Sequence, residues 1–291
     1  MGFRGTRFRR RLPDDAGSTW SSAASRAVDY EYTRIPMAII VFQHAADVGP
    51  GRLGVTLRDH GFKLSIRRLD LPLEHPLNQH ALEGFDKSSL IPKDFDNIHG
   101  VVSLGGPQNV GEDHVWMKPQ LEFLKATHEM QLPLIGLCLG SQMIAAALGG
   151  QVGPMDRPEL GFHNLVLSQA GQTDTILAGI PWASPMYQTH GYEVKQAPAG
   201  AAVLGSSKDC KVQVYRAGIR TYGFQFHPEF DRMMIEAILS REGDFLARTG
   251  QSESEIRAQL DKHYARFSVV SDRLCVNLAT YLFPLQRKLT A

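Results

Sequence analysis

The sequence predicts an α/β fold: an open sheet, mostly parallel with some antiparallel strands, helices on both faces, and extra helices at the C-terminal end. Three observations predict it. From Met37 to Leu148 short apolar runs alternate with helix-length segments, the pattern of a parallel sheet with right-handed crossovers. After Gly150 the apolar runs shorten and follow one another without helix-length spacers, as strands of mixed direction do. Past Phe230 the spacing becomes helical.

Ala38-Ile39-Ile40-Val41-Phe42 reads as the first strand, Pro50 to His60 as a helix ended at Gly61, and Lys63 to Leu69 as the second strand. A long loop rich in proline and charge precedes the third strand, Ile98 to Leu104; loops of that length often border an active site. Lys118 to Met130 reads as a helix with Pro119 in its first turn, and Leu132 to Leu137 as a buried strand. Met143 to Leu148 continues as a helix ended by Gly149-Gly150. Phe162 to Leu167, Val203 to Gly205, Val212 to Tyr215 and Tyr222 to Phe226 follow as strands. Met233 to Ala247, Ser252 to Tyr264 and Val270 to Leu282 follow as helices. The last carries a stripe of Val270, Leu274, Asn277, Leu278 and Tyr281, which reads as core or as a homodimer contact. A site on such a sheet falls at the carboxyl ends of the parallel strands.

Composition narrows the function classes. With 291 residues, 43% hydrophobic and 21% charged, the chain can bury a sizeable core. A formal net charge of +1 offers no case for a nucleic-acid or membrane surface, and no apolar run approaches the roughly 20 residues that span a bilayer. Three cysteines, Cys138, Cys210 and Cys275, make an odd count without close spacing. No disulfide framework is expected, and a reducing cytoplasm fits. Eleven histidines without a His-Glu-x-x-His or Cys-x-x-Cys motif imply no metal, and no cofactor is expected. Residues 1–34, with Arg4, Arg7, Arg9, Arg10 and Arg11 before Ser- and Ala-rich sequence, have no core-forming period. They read as a disordered basic arm, with a targeting peptide and an upstream start before Met37 as alternatives. The remaining domain is placed at 35–285.

The chemistry concentrates at two places. In Leu134-Ile135-Gly136-Leu137-Cys138-Leu139-Gly140-Ser141-Gln142 a thiol stands at a strand-to-helix turn between glycines. Unpaired amides and the helix dipole at such a turn favour a negatively charged sulfur. Downstream, Tyr222-Gly223-Phe224-Gln225-Phe226-His227-Pro228-Glu229 ends an aromatic strand in an imidazole with a carboxylate two residues later. Alone, a cysteine is usually a buried hydrophobe and a His-x-Glu usually a solvated loop; together they suit a relay. His227 can take the thiol proton and return one to a leaving amine while Glu229 holds the ring.

These two motifs resemble those of the class I glutamine amidotransferases, whose nucleophile turn reads Gly-x-Cys-x-Gly-x-Gln and whose histidine strand ends in His-Pro-Glu. The resemblance runs from about Met37 to about Phe230 and implies a flavodoxin-like sheet. It implies Cys138 as nucleophile, His227 as base and acid, and Glu229 as orienting carboxylate, in a Cys-His-Glu amidohydrolase that releases ammonia and glutamate through a thioester. Val101-Val102-Ser103-Leu104-Gly105-Gly106-Pro107 is similar to the family's oxyanion loop, so that the amides of Gly106 and Leu139 would form the hole. Met186 to Tyr192 resembles the segment over the substrate's amino-acid end, implying contacts from Thr189, Gly191 and Tyr192. Gln142, one helical turn from Cys138, faces the same way and could bond the substrate's polar end. His190 reads as a structural or substrate-shaping residue.

The segment from Phe162 to Gln225 looks most like the glutaminase part of GMP synthetases and their stand-alone relatives. Because no Ser-Gly-Gly-x-Asp-Ser nucleotide loop follows in this sequence, the ammonia acceptor is left to a synthetase partner subunit. The alternatives are a free γ-glutamyl hydrolase or peptidase and, from another class, a non-catalytic ligand-binding or regulatory module.

Overall fold

The computed structural model describes residues 37–241 and 243–283. The arm expected over residues 1–34, and the last residues of the expected domain, lie outside the described residues. Nine strands form one sheet in the order β2-β1-β3-β4-β9-β8-β7-β5-β6. Its first half is parallel: β2 (Lys63–Arg68), β1 (Ala38–Gln43), β3 (Ile98–Ser103), β4 (Leu134–Leu137) and β9 (Thr221–Phe224) all run one way. Its second half, β8 (Val214–Ala217), β7 (Ala202–Ser206), β5 (Gln151–Leu167) and β6 (Ala183–Gln196), is antiparallel throughout. The antiparallel half is therefore as large as the parallel one.

Every residue of β1 is buried, because both faces of the sheet are covered. With a side-chain period of two, Ile39 and Val41 join one core cluster while Ile40 and Phe42 join the other. The first cluster lies under α1 (Gly51–Asp59), through Leu53 and Leu57, and under α8 (Glu253–Asn277), through Ile256, Leu260, Phe267 and Leu274. The second lies under α3 (Met117–Glu129) and α4 (Leu139–Ala147), through Phe123, Leu124, Met143 and Ile144. Short helices α2 (Pro76–Ala81) and α5 (Gln169–Gln172) occupy connections. The loop expected before the third strand thus contains α2, which His75 caps by accepting from the amide of Leu77.

The C-terminal third differs from expectation. The helix expected over Met233 to Ala247 breaks into α6 (Arg232–Leu239) and α7 (Gly243–Thr249). The two helices expected over Ser252–Tyr264 and Val270–Leu282 are one, α8, which opens on a capping box between Ser252 and Glu255 and ends in a π-helical turn, Leu278–Leu282. No glycine or proline stands between Tyr264 and Val270, and Phe267 carries the buried stripe across that stretch. Of the stripe predicted as core or dimer contact, Val270, Leu274, Asn277 and Leu278 are buried within the chain, whereas Tyr281 is exposed. Asn277 is in the core because its amide donates to the carbonyls of Ile176 and Ala178. Among the described residues no helix is long and apolar enough to cross a membrane.

Candidate active site

The edge formed by the carboxyl ends of β3, β4 and β9 opens into a cleft of about 610 Å³. Cys138 lies in it between β4 and α4, at φ 50° and ψ −109°, in the left-handed half of backbone space that an L-residue enters only under constraint. Close packing supplies the constraint. A Cβ on Gly140 would lie 1.9 Å from the Ser103 carbonyl oxygen, and one on Gly136 would lie 2.5 Å from the Gly140 carbonyl oxygen. Only glycines permit strand and helix to approach so closely around the thiol. The Cys138 amide donates to the Phe224 carbonyl at 2.8 Å, so the turn is tied to β9 as it leaves β4.

β9 delivers His227. The parallel register pairs Leu137 with Phe224, so the thiol follows one strand end and the imidazole follows its neighbour. His227 is 2% exposed; its Nδ1 lies 2.8 Å from Glu229 Oε1, and Glu229 is fully buried. Burial would lower the imidazole pKa, but the Glu229 carboxylate and then the Cys138 sulfur overcome it, leaving the ring pushed up to about 10. Nε2 makes no hydrogen bond to a described residue and is the ring nitrogen left for the thiol. A Cβ on Gly105 would lie 2.8 Å from His227 Cε1 and 3.4 Å from Cys138 Cβ, so the two catalytic candidates flank the same point. The thiol itself lies 3.9 Å from the Thr189 carbonyl oxygen, its nearest acceptor.

The other sequence-predicted residues gather around the same cleft. Gly106, Leu139, Gln142, Thr189, Gly191 and Tyr192 all line it. The amides of Gly106 and Leu139 make no hydrogen bond among the described residues, so both donors are open. The Gln142 amide nitrogen donates to the Tyr192 carbonyl at 2.9 Å and to Gln225 Oε1 at 3.2 Å, which clamps α4 to β6 and leaves its oxygen as the free end. In β6 the register pairs His190 with Glu159 and Tyr192 with Pro154, skipping Gly191 at a bulge, so that residue turns its backbone out of the ladder. His190 is held inside: Nε2 lies 3.0 Å from Glu159 Oε2, and Nδ1 lies 3.0 Å from the Tyr192 carbonyl oxygen. Ser207 and Gln213 also donate to the fully buried Glu159. Glu159, His163 and Asp209 each place one ligand-type atom within 4.8 Å of the others. Both Glu159 oxygens, however, already accept from these protein donors.

Several neighbours carry no motif of their own. Phe230 stacks on the His227 ring at a centroid distance of 4.1 Å and fixes its plane. Gly51, at φ +41°, presses on the Glu229 loop: a Cβ there would lie 2.2 Å from the Glu229 carbonyl oxygen, which accepts from the Arg52 amide. The Gly-Pro-Gly run at the start of α1 was the available signal. His44 sits between the Gly105 carbonyl and Gln120 Oε1, and burial lowers its pKa, so it stands neutral beside the glycine loop. Phe245 and Arg248, from α7, form the outer wall. A nucleophile on a strained turn, a base held by a buried carboxylate and two open amides can perform acyl transfer.

Residues 56–238 match the family model described as glutamine amidotransferase class-I. The chain is 37% identical over 133 residues to the glutamine-hydrolyzing GMP synthase of Dehalococcoides mccartyi (strain CBDB1), covering 46% of this chain and 24% of that protein. It is 36% identical over 145 residues to a separately encoded subunit of the glutamine-hydrolyzing GMP synthase of Sulfolobus acidocaldarius, covering 50% of this chain and 72% of that one. The chain thus spans about a quarter of the longer relative and most of the shorter. The crystal structure of a glutamine amido transferase from Methylobacillus flagellatus covers 83% of this chain and 94% of its own with a TM-score of 0.70, a likeness of fold at 23% identity.

Proposed function

The chain belongs to the class I glutamine amidotransferases, and on that basis we propose that it hydrolyses the side-chain amide of glutamine through a thioester on Cys138. The observation that carries the reading is the buried His227 imidazole, held by Glu229 on one nitrogen and facing Cys138 with the other. The thiol proton passes to Nε2 as sulfur attacks the amide carbon. The resulting oxyanion is received by the amides of Leu139 and Gly106, donors of a kind whose individual loss costs about 2.7 to 4 kcal/mol. As the tetrahedral species collapses, His227 returns the proton to the nitrogen, which leaves as ammonia. Water, deprotonated by His227, then attacks the thioester and releases glutamate and the thiol. The free oxygen of Gln142 and the outward backbone of Thr189, Gly191 and Tyr192 hold the amino-acid end.

The names of the two GMP synthase relatives support delivery of the ammonia to a partner synthetase, which would raise a low basal glutaminase rate when that partner binds together with its substrate. The free thiol requires a reducing compartment, in line with a cytoplasmic enzyme. The cleft volume favours one alternative, hydrolysis of larger γ-glutamyl amides, since about 610 Å³ is within the range that accepts ligands larger than an amino acid.

Incubation with a glutamine-like diazo-ketone, followed by mass analysis, tests the nucleophile. Label is expected on Cys138 and absent in Cys138→Ala, because Cys210 and Cys275 are buried and their thiol pKa values are pushed far up by that burial. Label on either of those cysteines, or none on folded protein, would remove the thioester mechanism.

A further inference from the structure

The outer wall of the cleft comes from outside the matched residues 56–238. Arg241 follows α6 and pairs with Asp47 of the loop after β1. Arg248, in the last turn of α7, makes no ion pair with a described carboxylate; its guanidinium lies over the Phe245 ring, 5.7 Å from the centroid. Phe245 and Arg248 both crowd the bulge of β6. A Cβ on Gly191 would lie 3.2 Å from Phe245 Cε2 and 3.6 Å from Arg248 Nη2. A planar cation therefore sits on the one residue of β6 that the ladder skips, two residues from the carbonyl facing the Cys138 thiol.

We propose that Arg248, steadied by Phe245, forms with the Gly191 backbone a carboxylate-binding subsite that sets which amide reaches Cys138. This rests on the reading of the cleft as a glutamine site. Guanidinium matches a carboxylate with two parallel donors, and stacking on Phe245 limits the freedom the side chain loses on binding. The carboxylate has two chemical sources: the α-carboxylate of the glutamyl part, or a carboxylate on the group attached to the γ-nitrogen. Arg248 is a positioning residue for the amide, whereas the bond-breaking steps stay with Cys138 and His227.

Steady-state kinetics of wild type, Arg248→Ala and Arg248→Lys on L-glutamine, glutamine α-amide, γ-glutamylglycine and γ-glutamylglycinamide test it. In Arg248→Ala, KM is expected to rise roughly ten- to a hundredfold for any substrate that carries the bound carboxylate, while kcat changes less than about threefold. Lysine should restore part of the loss. If the α-carboxylate is bound, the gap between wild type and variant disappears for glutamine α-amide; if the leaving-group carboxylate is bound, it disappears for γ-glutamylglycinamide and is absent for glutamine. Equal KM values for all four substrates in wild type and Arg248→Ala would overturn the subsite while leaving the glutaminase reading intact. Calorimetric binding of glutamate and of γ-glutamylglycine to Cys138→Ala, with and without Arg248→Ala, decides the same question without turnover. A loss of tenfold or more for either ligand supports the subsite even where wild type hydrolyses nothing, and unchanged dissociation constants for both refute it. Arg248 is solvent-exposed, so its removal leaves the core untouched.

Discussion

Replacing Glu229 by Gln separates orientation of the imidazole from construction of the fold. In the wild type a carboxylate can only accept, so the 2.8 Å contact from Glu229 Oε1 to His227 Nδ1 places the ring proton on Nδ1 and leaves Nε2 as the base. A Gln amide fits the same space but can donate to Nδ1, which favours the tautomer with its proton on Nε2, facing Cys138 where it cannot accept. By analogy with other triads in which an amide replaces the carboxylate, kcat should fall about 10³- to 10⁴-fold. At about 1.36 kcal/mol per decade, that is about 4 to 5.5 kcal/mol of transition-state stabilisation. The fold should survive, since the lost charge-assisted bond is worth about 1.5–3 kcal/mol. His227 is raised to about 10 in the fold, so its linked stability is fully present below its ordinary pKa of 6.5 and is lost as pH rises toward 10. The Tm gap between wild type and Glu229→Gln should therefore be widest below about pH 6.5 and narrow toward pH 10. Glutamate release and the rate of diazo-ketone labelling at Cys138, both followed between about pH 6 and pH 10, read the catalytic effect. Turnover within tenfold of wild type would show that another group orients the ring.

Gly140→Ala should lower Tm and abolish labelling of Cys138, because its Cβ would stand 1.9 Å from the Ser103 carbonyl oxygen and backbone must move; unchanged Tm and labelling would refute the packing account of the turn. Gly51→Ala should fold, with Glu229 displaced by a Cβ placed 2.2 Å from its carbonyl oxygen, and lose kcat much more than KM; the reverse split in steady-state kinetics would count against it. Glu159→Ala should cost about 3–5 kcal/mol, since it leaves the buried His190, Ser207 and Gln213 groups without their acceptor. Burial pushes the Glu159 carboxyl up, but the bonds from His190 and Ser207 pull it below its ordinary 4.5. Its contribution is thus present above about pH 4.5 and lost as pH falls further, and chemical denaturation at neutral and acidic pH should show the deficit shrinking. A pH-independent deficit would contradict this.

The parallel half of the fold was legible because its strands are short, apolar and punctuated, and because glycines at Gly136 and Gly140 mark a turn that no other residue fits. The long strands were not. β5 contains Pro154, Asp156, Arg157 and Pro158, which read as loop, and only pairing with β6 along most of its length makes it a strand. β6 likewise mixes Pro185, Thr189, His190 and Gly191 into its run, because it serves the cleft at mid-strand. The cleft residues with local motifs, Cys138, His227 and Glu229, could be named from sequence. Phe230, His44, Gly51, Phe245 and Arg248 could not, since each acts through a neighbour brought in by tertiary packing.

The topology divides labour within the cleft. Parallel neighbours end at the same edge of a sheet, so β4 and β9 can each contribute a residue just past a strand end and have them meet, although β5 to β8 intervene in the chain. Nucleophile and base are accordingly set by strand register, which the covered faces of the sheet hold firmly. β6 cannot contribute in that way, since it passes the cleft in mid-run; it offers backbone at a bulge instead of a side chain. A bulge carries little selectivity by itself, because peptide groups are the same whatever the sequence. Selectivity must then come from what packs over the bulge, and in this chain that is Phe245 and Arg248 on α7, the short helix beyond the part shared with the family.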